Sequence, residues 1–147
     1  MTEPATILII DDDADYSCLL ELALAEARVN NPIKSIHDGS AALIYLRQVA
    51  AKSQLAVDSI PALVLLDLRM PKISGLEVLR WIRNEPRLAR VPVAVFTGVE
   101  AADEQSQALA LGASSLQVKP FAYRELVQTA RSLRNQYLEP HELKHAA

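Results

Sequence analysis

The chain has 147 residues, half of them hydrophobic and 22% charged, with a formal net charge of −3. That is the length of one domain able to bury a core without staples, and the composition of an ordinary soluble fold. The small acidic excess argues against nucleic acid and anionic membrane as partners, and no apolar run approaches the roughly 18 residues of a membrane span.

The elements follow in chain order. Residues Thr6–Ile10 are a short branched apolar run that predicts a strand, and three acids follow it, Asp11, Asp12 and Asp13. Two carboxylates fixed about 4 Å apart repel by roughly 4 kcal/mol at an effective dielectric near 20, so three here need a reason. Ala14–Arg28 carries Leu19, Leu20, Ala23, Leu24 and Ala27 at helical spacing. Asp13 stands at its start, where an acid caps the helix and suits its dipole. The lone cysteine, Cys18, lies in this helix; it excludes an internal disulfide, suits a reducing compartment and is expected to pack as a small buried hydrophobe.

Ile33–Ile36, Leu63–Leu66, Val93–Phe96 and Leu116–Val118 predict four further strands. The first, third and fourth strands lack polar alternation, as expected when both faces are covered. Between and after the strands, Ser40–Ala51, Leu76–Asn84, the Ala-rich Ala101–Leu111 and Tyr123–Leu138 predict helices. Asp38-Gly39, Ser74-Gly75 and Gly112 mark turns or helix ends. Ala51–Ile60 is a polar connector, and residues 139–147 have the character of a frayed tail.

Five β-α units in succession predict an open parallel sheet with helices on both faces. The polar residues then fall at one place in each unit: Asp11 to Asp13 after the first strand, Asp67 after the third, Thr97-Gly98 after the fourth, Lys119-Pro120 after the fifth. In the order 2-1-3-4-5 these ends share one rim, where open α/β sheets bind ligands. Singly, each has a plain explanation: acids cap helices, threonines cap helices, and lysines sit in solvent. Their coincidence on one rim is harder to explain that way. Carboxylates with water suit a hard cation such as Mg²⁺, and a carboxylate can act as nucleophile to form an acyl phosphate. Phosphoryl transfer needs in-line positioning and neutralised oxygens, which a metal, an ammonium and a hydroxyl supply.

The motifs "ILIIDDD", "LVLLDLRMPKISG", "VFTG" and "GASSLQVKPF" resemble, in order and spacing, the receiver domain of two-component response regulators. The likeness covers roughly Ala5 to Leu138 of a single domain spanning 1–147. It implies a flavodoxin-like fold with strand order 2-1-3-4-5, and Asp67 as phosphoacceptor from a phosphohistidine on a sensor histidine kinase. Asp11 and Asp12 would hold Mg²⁺, Asp12 directly and Asp11 partly through water, with Asp67 and the backbone carbonyl of Arg69 as further ligands. Thr97 and Lys119 would contact the phosphoryl oxygens, Gly98 would leave room for them, and Lys119-Pro120 would be a cis peptide. Arg69 and Val99 would tune hydrolysis. One departure stands out: Leu116 occupies a position where many receivers carry Tyr or Phe, so this residue cannot report through a moving ring.

The segment "LRWIRNEPRLARVPVAVFTG", the long connector and the short tail resemble single-domain regulators paired with bacterial phytochromes, which would make the input light. The resemblance implies output by protein binding or relay and a homodimer through the fourth helix, fifth strand and fifth helix, where Tyr123, Arg131, Arg134 and Tyr137 are candidate contacts. A Mg²⁺-dependent aspartyl phosphatase is a competing reading, but it would want an acid two residues after the nucleophile, where Arg69 stands. A degenerate receiver serving only as an interaction module is disfavoured by the complete set of five rim residues. No other enzymatic activity is expected. The amino-terminal "MTEPATILII" lacks the basic and long apolar parts of a signal peptide, so a cytoplasmic protein is expected.

Overall fold

The computed structural model describes residues 4–52, 60–98 and 102–138. Most of the connector, Val99 and the tail from 139 lie outside the described residues. The elements alternate as the sequence predicts: β1 (Ile7–Ile10), α1 (Ala14–Glu26), β2 (Ile33–Ile36), α2 (Gly39–Ala51), β3 (Leu63–Asp67), α3 (Gly75–Asn84), β4 (Val93–Thr97), α4 (Ala102–Ala110), β5 (Ser115–Val118) and α5 (Tyr123–Leu133). The sheet runs β2-β1-β3-β4-β5, and every pairing is parallel.

The near-continuous apolar strands are explained by their cover. Every residue of β1, β3 and β4 is buried. Side chains alternate between faces, so Leu8, Ile10, Val64, Leu66, Val93 and Val95 pack with α2, α3 and α4. Ile7, Ile9, Leu63, Leu65, Ala94 and Phe96 pack with α1 and α5. At roughly 1.5–3 kcal/mol for each large side chain taken fully out of water, this two-sided core is the main stabilising term. Leu116 is half-buried against the α2–α4 side, as part of the core.

Two strands run one residue further than predicted, and those residues are Asp67 and Thr97. Pairing with Phe96 and Val118 draws both into the sheet. Helix α1 departs from its predicted stripe: Ser17, Leu20, Ala23 and Leu24 are buried, whereas Cys18 is exposed and Leu19 is 45% exposed. The helix is rotated so that the stripe begins one residue earlier than Cys18. The cysteine is therefore a surface residue, not a core one. Helix α5 ends at Leu133 and continues as a π-helical turn, Arg134–Leu138, whose Tyr137 and Leu138 pack against the α1–α5 side of the core.

Close approaches fix the loops. A Cβ on Gly75 would stand 2.3 Å from the carbonyl oxygen of Asp67, so only glycine lets α3 begin against that backbone. Gly112 has φ +99°, the left-handed conformation that ends α4. Arg83 of α3 ties this lower edge together, donating from Nε to Gly112 O (2.9 Å), from Nη1 to Val91 O (2.7 Å) and Ala89 O (3.1 Å), and from Nη2 to Ser114 Oγ (3.2 Å). The peptide bond expected to be cis is not: the described residues contain no cis peptide. Trans is the form an X–Pro bond prefers by about 0.5–1 kcal/mol. In this form Lys119 N–H donates to Thr97 O at 2.8 Å and extends the β4–β5 pairing.

Candidate functional site: an acidic cluster on the carboxyl rim

Register sets the site. Ile10 is opposite Leu66, so the residues that follow, Asp11 and Asp67, emerge side by side. Thr97 is opposite Val118, so Lys119 emerges on the next strand along. Asp11, Asp12 and Asp67 each offer a carboxylate oxygen, and these oxygens lie within 4.8 Å of one another. Asp11 and Asp67 are buried and Asp12 is exposed. Lys119 Nζ lies 2.8 Å from Asp11 Oδ2 and 3.7 Å from Asp67 Oδ2. All five rim residues predicted from the sequence therefore sit on one edge, four of them in direct ionic proximity.

Asp11, Asp67 and the neighbouring Asp13 have backbone support. Asp11 Oδ1 accepts from Asp13 N–H at 2.9 Å, and Asp11 N–H donates to Ile36 O at 3.0 Å. Asp67 Oδ1 lies 3.4 Å from the Arg69 N–H that donates to it. Asp13 accepts from Tyr16 N–H at 3.1 Å, the helix cap that its position predicts. Thr97 is buried, and among the described residues its hydroxyl donates a long 3.5 Å bond to Gly98 O. Among the described residues, a Cβ on Gly98 would meet nothing within 4 Å.

The electrostatics follow from burial. The Asp67 carboxyl is pushed up to about 7, first by loss of water and then by the Asp11 charge; Lys119 and the Arg69 N–H oppose the rise. A buried carboxylate held close to another is poised to gain from any added positive charge. The oxygens of three aspartates at this spacing are of the kind and number that could hold a hard divalent cation.

Three contacts were not legible in the sequence. The ring of Tyr16 lies against Lys119, with Nζ 4.5 Å from its centroid, and Tyr16 Oη donates to Pro120 O at 3.4 Å. Burial, then the charges of Asp11 and Asp67, raise the Tyr16 phenol well above its ordinary range, so it stays a donor. Arg69 pairs with Glu104 of α4 at 3.1 Å, both side chains partly in solvent. Beside Tyr16 lies a groove of about 410 Å³, lined by Leu19, Val118, Phe121, Tyr123 and Leu126 among others. The only sequence hint of the first contact is the position of Tyr16 in the first turn of a helix that starts at the rim. Of the surface residues named earlier, Tyr123 donates to Glu26 of α1 (3.4 Å) and Arg134 to Ala27 O (3.1 Å), and Tyr137 packs on the core. Those three serve the packing of α5 on α1.

Comparison with known proteins gives a consistent picture. The probable methanogenesis regulatory protein FilR2 of Methanothrix harundinacea is 32% identical over 136 residues, covering 92% of this chain and 85% of that protein. The response regulator Rcp1 of Synechocystis is 29% identical over 136 residues, covering 92% and 90%. Among solved structures, the phosphorylated cyanobacterial phytochrome response regulator RcpA superposes with a TM-score of 0.80 at 30% identity, covering 92% of this chain and 95% of that one. The Mn²⁺-bound form of Rcp1 gives 0.78 at 29% identity, covering 92% and 96%. The family model described as the response regulator receiver domain matches residues 7–131. Because that match runs from β1 into α5 and embraces the whole acidic rim, the chain belongs to the response regulator receiver domain family.

Proposed function

We propose that this receiver accepts a phosphoryl group on Asp67 from a phosphohistidine of a sensor histidine kinase, in a Mg²⁺-dependent reaction. The observation that carries this reading is the approach of Lys119 Nζ to within 3.7 Å of a buried Asp67 carboxylate that also belongs to the three-aspartate cluster. An Asp67 oxygen attacks phosphorus in line; the new O–P bond forms as the N–P bond breaks. The departing imidazole keeps the electron pair of that bond and takes up a proton. Lys119 and the Thr97 hydroxyl meet the phosphoryl oxygens, Thr97 by moving towards them. Asp12, Asp67, the Arg69 carbonyl and, partly through water, Asp11 would hold Mg²⁺, which supplies charge neutralisation for those oxygens.

Output is by protein binding or relay, controlled by phosphorylation, with a homodimer through α4, β5 and α5 as one form of it. The likeness to the phytochrome response regulator RcpA, and to a response regulator in red light signalling of R. palustris with a TM-score of 0.77 at 25% identity, supports a bacteriophytochrome as the kinase. Incubation with acetyl phosphate and Mg²⁺ tests the core of the proposal. Intact mass is expected to rise by one phosphoryl group in the wild type and not in Asp67→Asn. No gain in the wild type, or an undiminished gain in Asp67→Asn, would refute Asp67 as acceptor. Transfer from a panel of phosphorylated kinases, fastest from a phytochrome kinase, tests the light input.

A further inference from the structure

We propose that Tyr16 is the positioning residue that holds Lys119 at the phosphoacceptor. Lysine carries its charge on a flexible four-carbon stem, and the ammonium needs a defined place to meet a phosphoryl group. Attraction to the acids alone does not supply one. Lys119 Nζ is nearer to Asp11, at 2.8 Å, than to Asp67, at 3.7 Å, and exposed Asp12 belongs to the same cluster.

The Tyr16 ring restrains it on another side. Its face, 4.5 Å from Nζ, attracts the cation through the ring quadrupole. Its hydroxyl donates to Pro120 O at 3.4 Å, which locates the loop that carries Lys119. The backbone that carries the ring is itself tied down, because Tyr16 N–H is the group that Asp13 caps at 3.1 Å. One residue thus joins the start of α1 to the end of β5, across 104 residues of sequence. Among the described residues, Tyr16 is the aromatic ring found over this ammonium.

The inference rests on the proposed role of Asp67, and two measurements on the full chain separate the two. The first is the rate constant for phosphorylation by acetyl phosphate. Tyr16→Leu, which removes ring and hydroxyl, is expected to lower it about tenfold, the scale of a partly desolvated cation–π contact. Tyr16→Phe, which keeps the ring, is expected to stay within about threefold of the wild type. In a Lys119→Ala background, Tyr16→Leu is expected to cost less than about twofold more, since its effect runs through the lysine. A full tenfold loss in that background, or no loss in Tyr16→Leu alone, would overturn the proposal.

The second measurement uses no phosphodonor: acylation of Lys119 by an N-hydroxysuccinimide ester, read by peptide mass spectrometry against Lys34 and Lys72 in the same molecule. Labelling of Lys119 is expected to rise severalfold in Tyr16→Leu and in Tyr16→Met, whose longer unbranched side chain fills the site differently, and little in Tyr16→Phe. Unchanged labelling in both apolar variants would defeat the positioning role. A wild type that labels as expected but takes up no phosphoryl group would instead defeat the Asp67 reading alone.

Discussion

Asp67 holds its proton to about pH 7 because its site is dry and already negative. An acid whose pKa is higher folded than unfolded gives the native state more bound protons, so stability declines as pH rises between the two values. With an unfolded value near 3.8, the window runs from about 4 to about 7. Metal-free wild type is therefore expected to lose melting temperature across that window more steeply than Asp67→Asn; parallel profiles would show that the charge of Asp67 is not responsible. Asp13 has a different role. Asp13→Ala is expected to cost about 1 kcal/mol through loss of the cap, Asp13→Asn little, both read by urea denaturation. Asp13 was legible because a cap is a local feature, one residue before a helix. Asp11, Asp12, Asp67, Thr97 and Lys119 were legible because a parallel sheet puts strand ends on one rim. Tyr16 was not, since its contact with Lys119 depends on how α1 leans on the β5–α5 loop. Cys18 was misplaced for a related reason: in "SCLLELAL" apolar residues surround the helix, and the packing of α5 chooses which of them face inward.

Among the helices, α4 is held least. Its one buried side chain is Ala108, against Val78, Leu79 and Ile82 in α3 and Leu126, Val127, Ala130 and Leu133 in α5. Little apolar area anchors it, and the Arg69–Glu104 pair, exposed to solvent, is worth at most about 1 kcal/mol. Amide hydrogen exchange is expected to be faster in α4 than in α3 or α5, and faster still at its first turn in Glu104→Gln. Equal protection of the three helices would contradict this. The sparse anchoring of α4 was visible in its Ala-rich, weakly apolar sequence. The π-helical turn after Leu133 was not: Leu133, Tyr137 and Leu138 fit an apolar stripe in either helical form.

The molecule as a whole places its stability in a two-sided sheet and its unfavourable charge on one rim. Mg²⁺ that binds only the native cluster is expected to raise the melting temperature progressively with concentration, and Asp12→Asn to blunt the rise. A melt indifferent to millimolar Mg²⁺ would count against the cluster as a metal site. The parallel architecture was legible from alternation alone, whereas the strand order came from the likeness to receivers, because β-α periodicity does not say where the order reverses. The opposite edge of the molecule has a mechanical consequence. Arg83 pins the turn at Gly112, where α4 ends, while the beginning of α4 is attached near the rim by Glu104 and by the 3.3 Å bond from Gln105 to Gly98 O. A helix fastened at its heel and lightly held at its toe is a lever with a fixed fulcrum. Nine residues make an arm of about 14 Å, so a shift of about 2 Å beside Thr97 swings it by on the order of 10°. Distance measurements between spin labels should find that swing near Glu104 and almost none near Leu111, turning an event at a single carboxylate into a change of slope across the outer face of the helix.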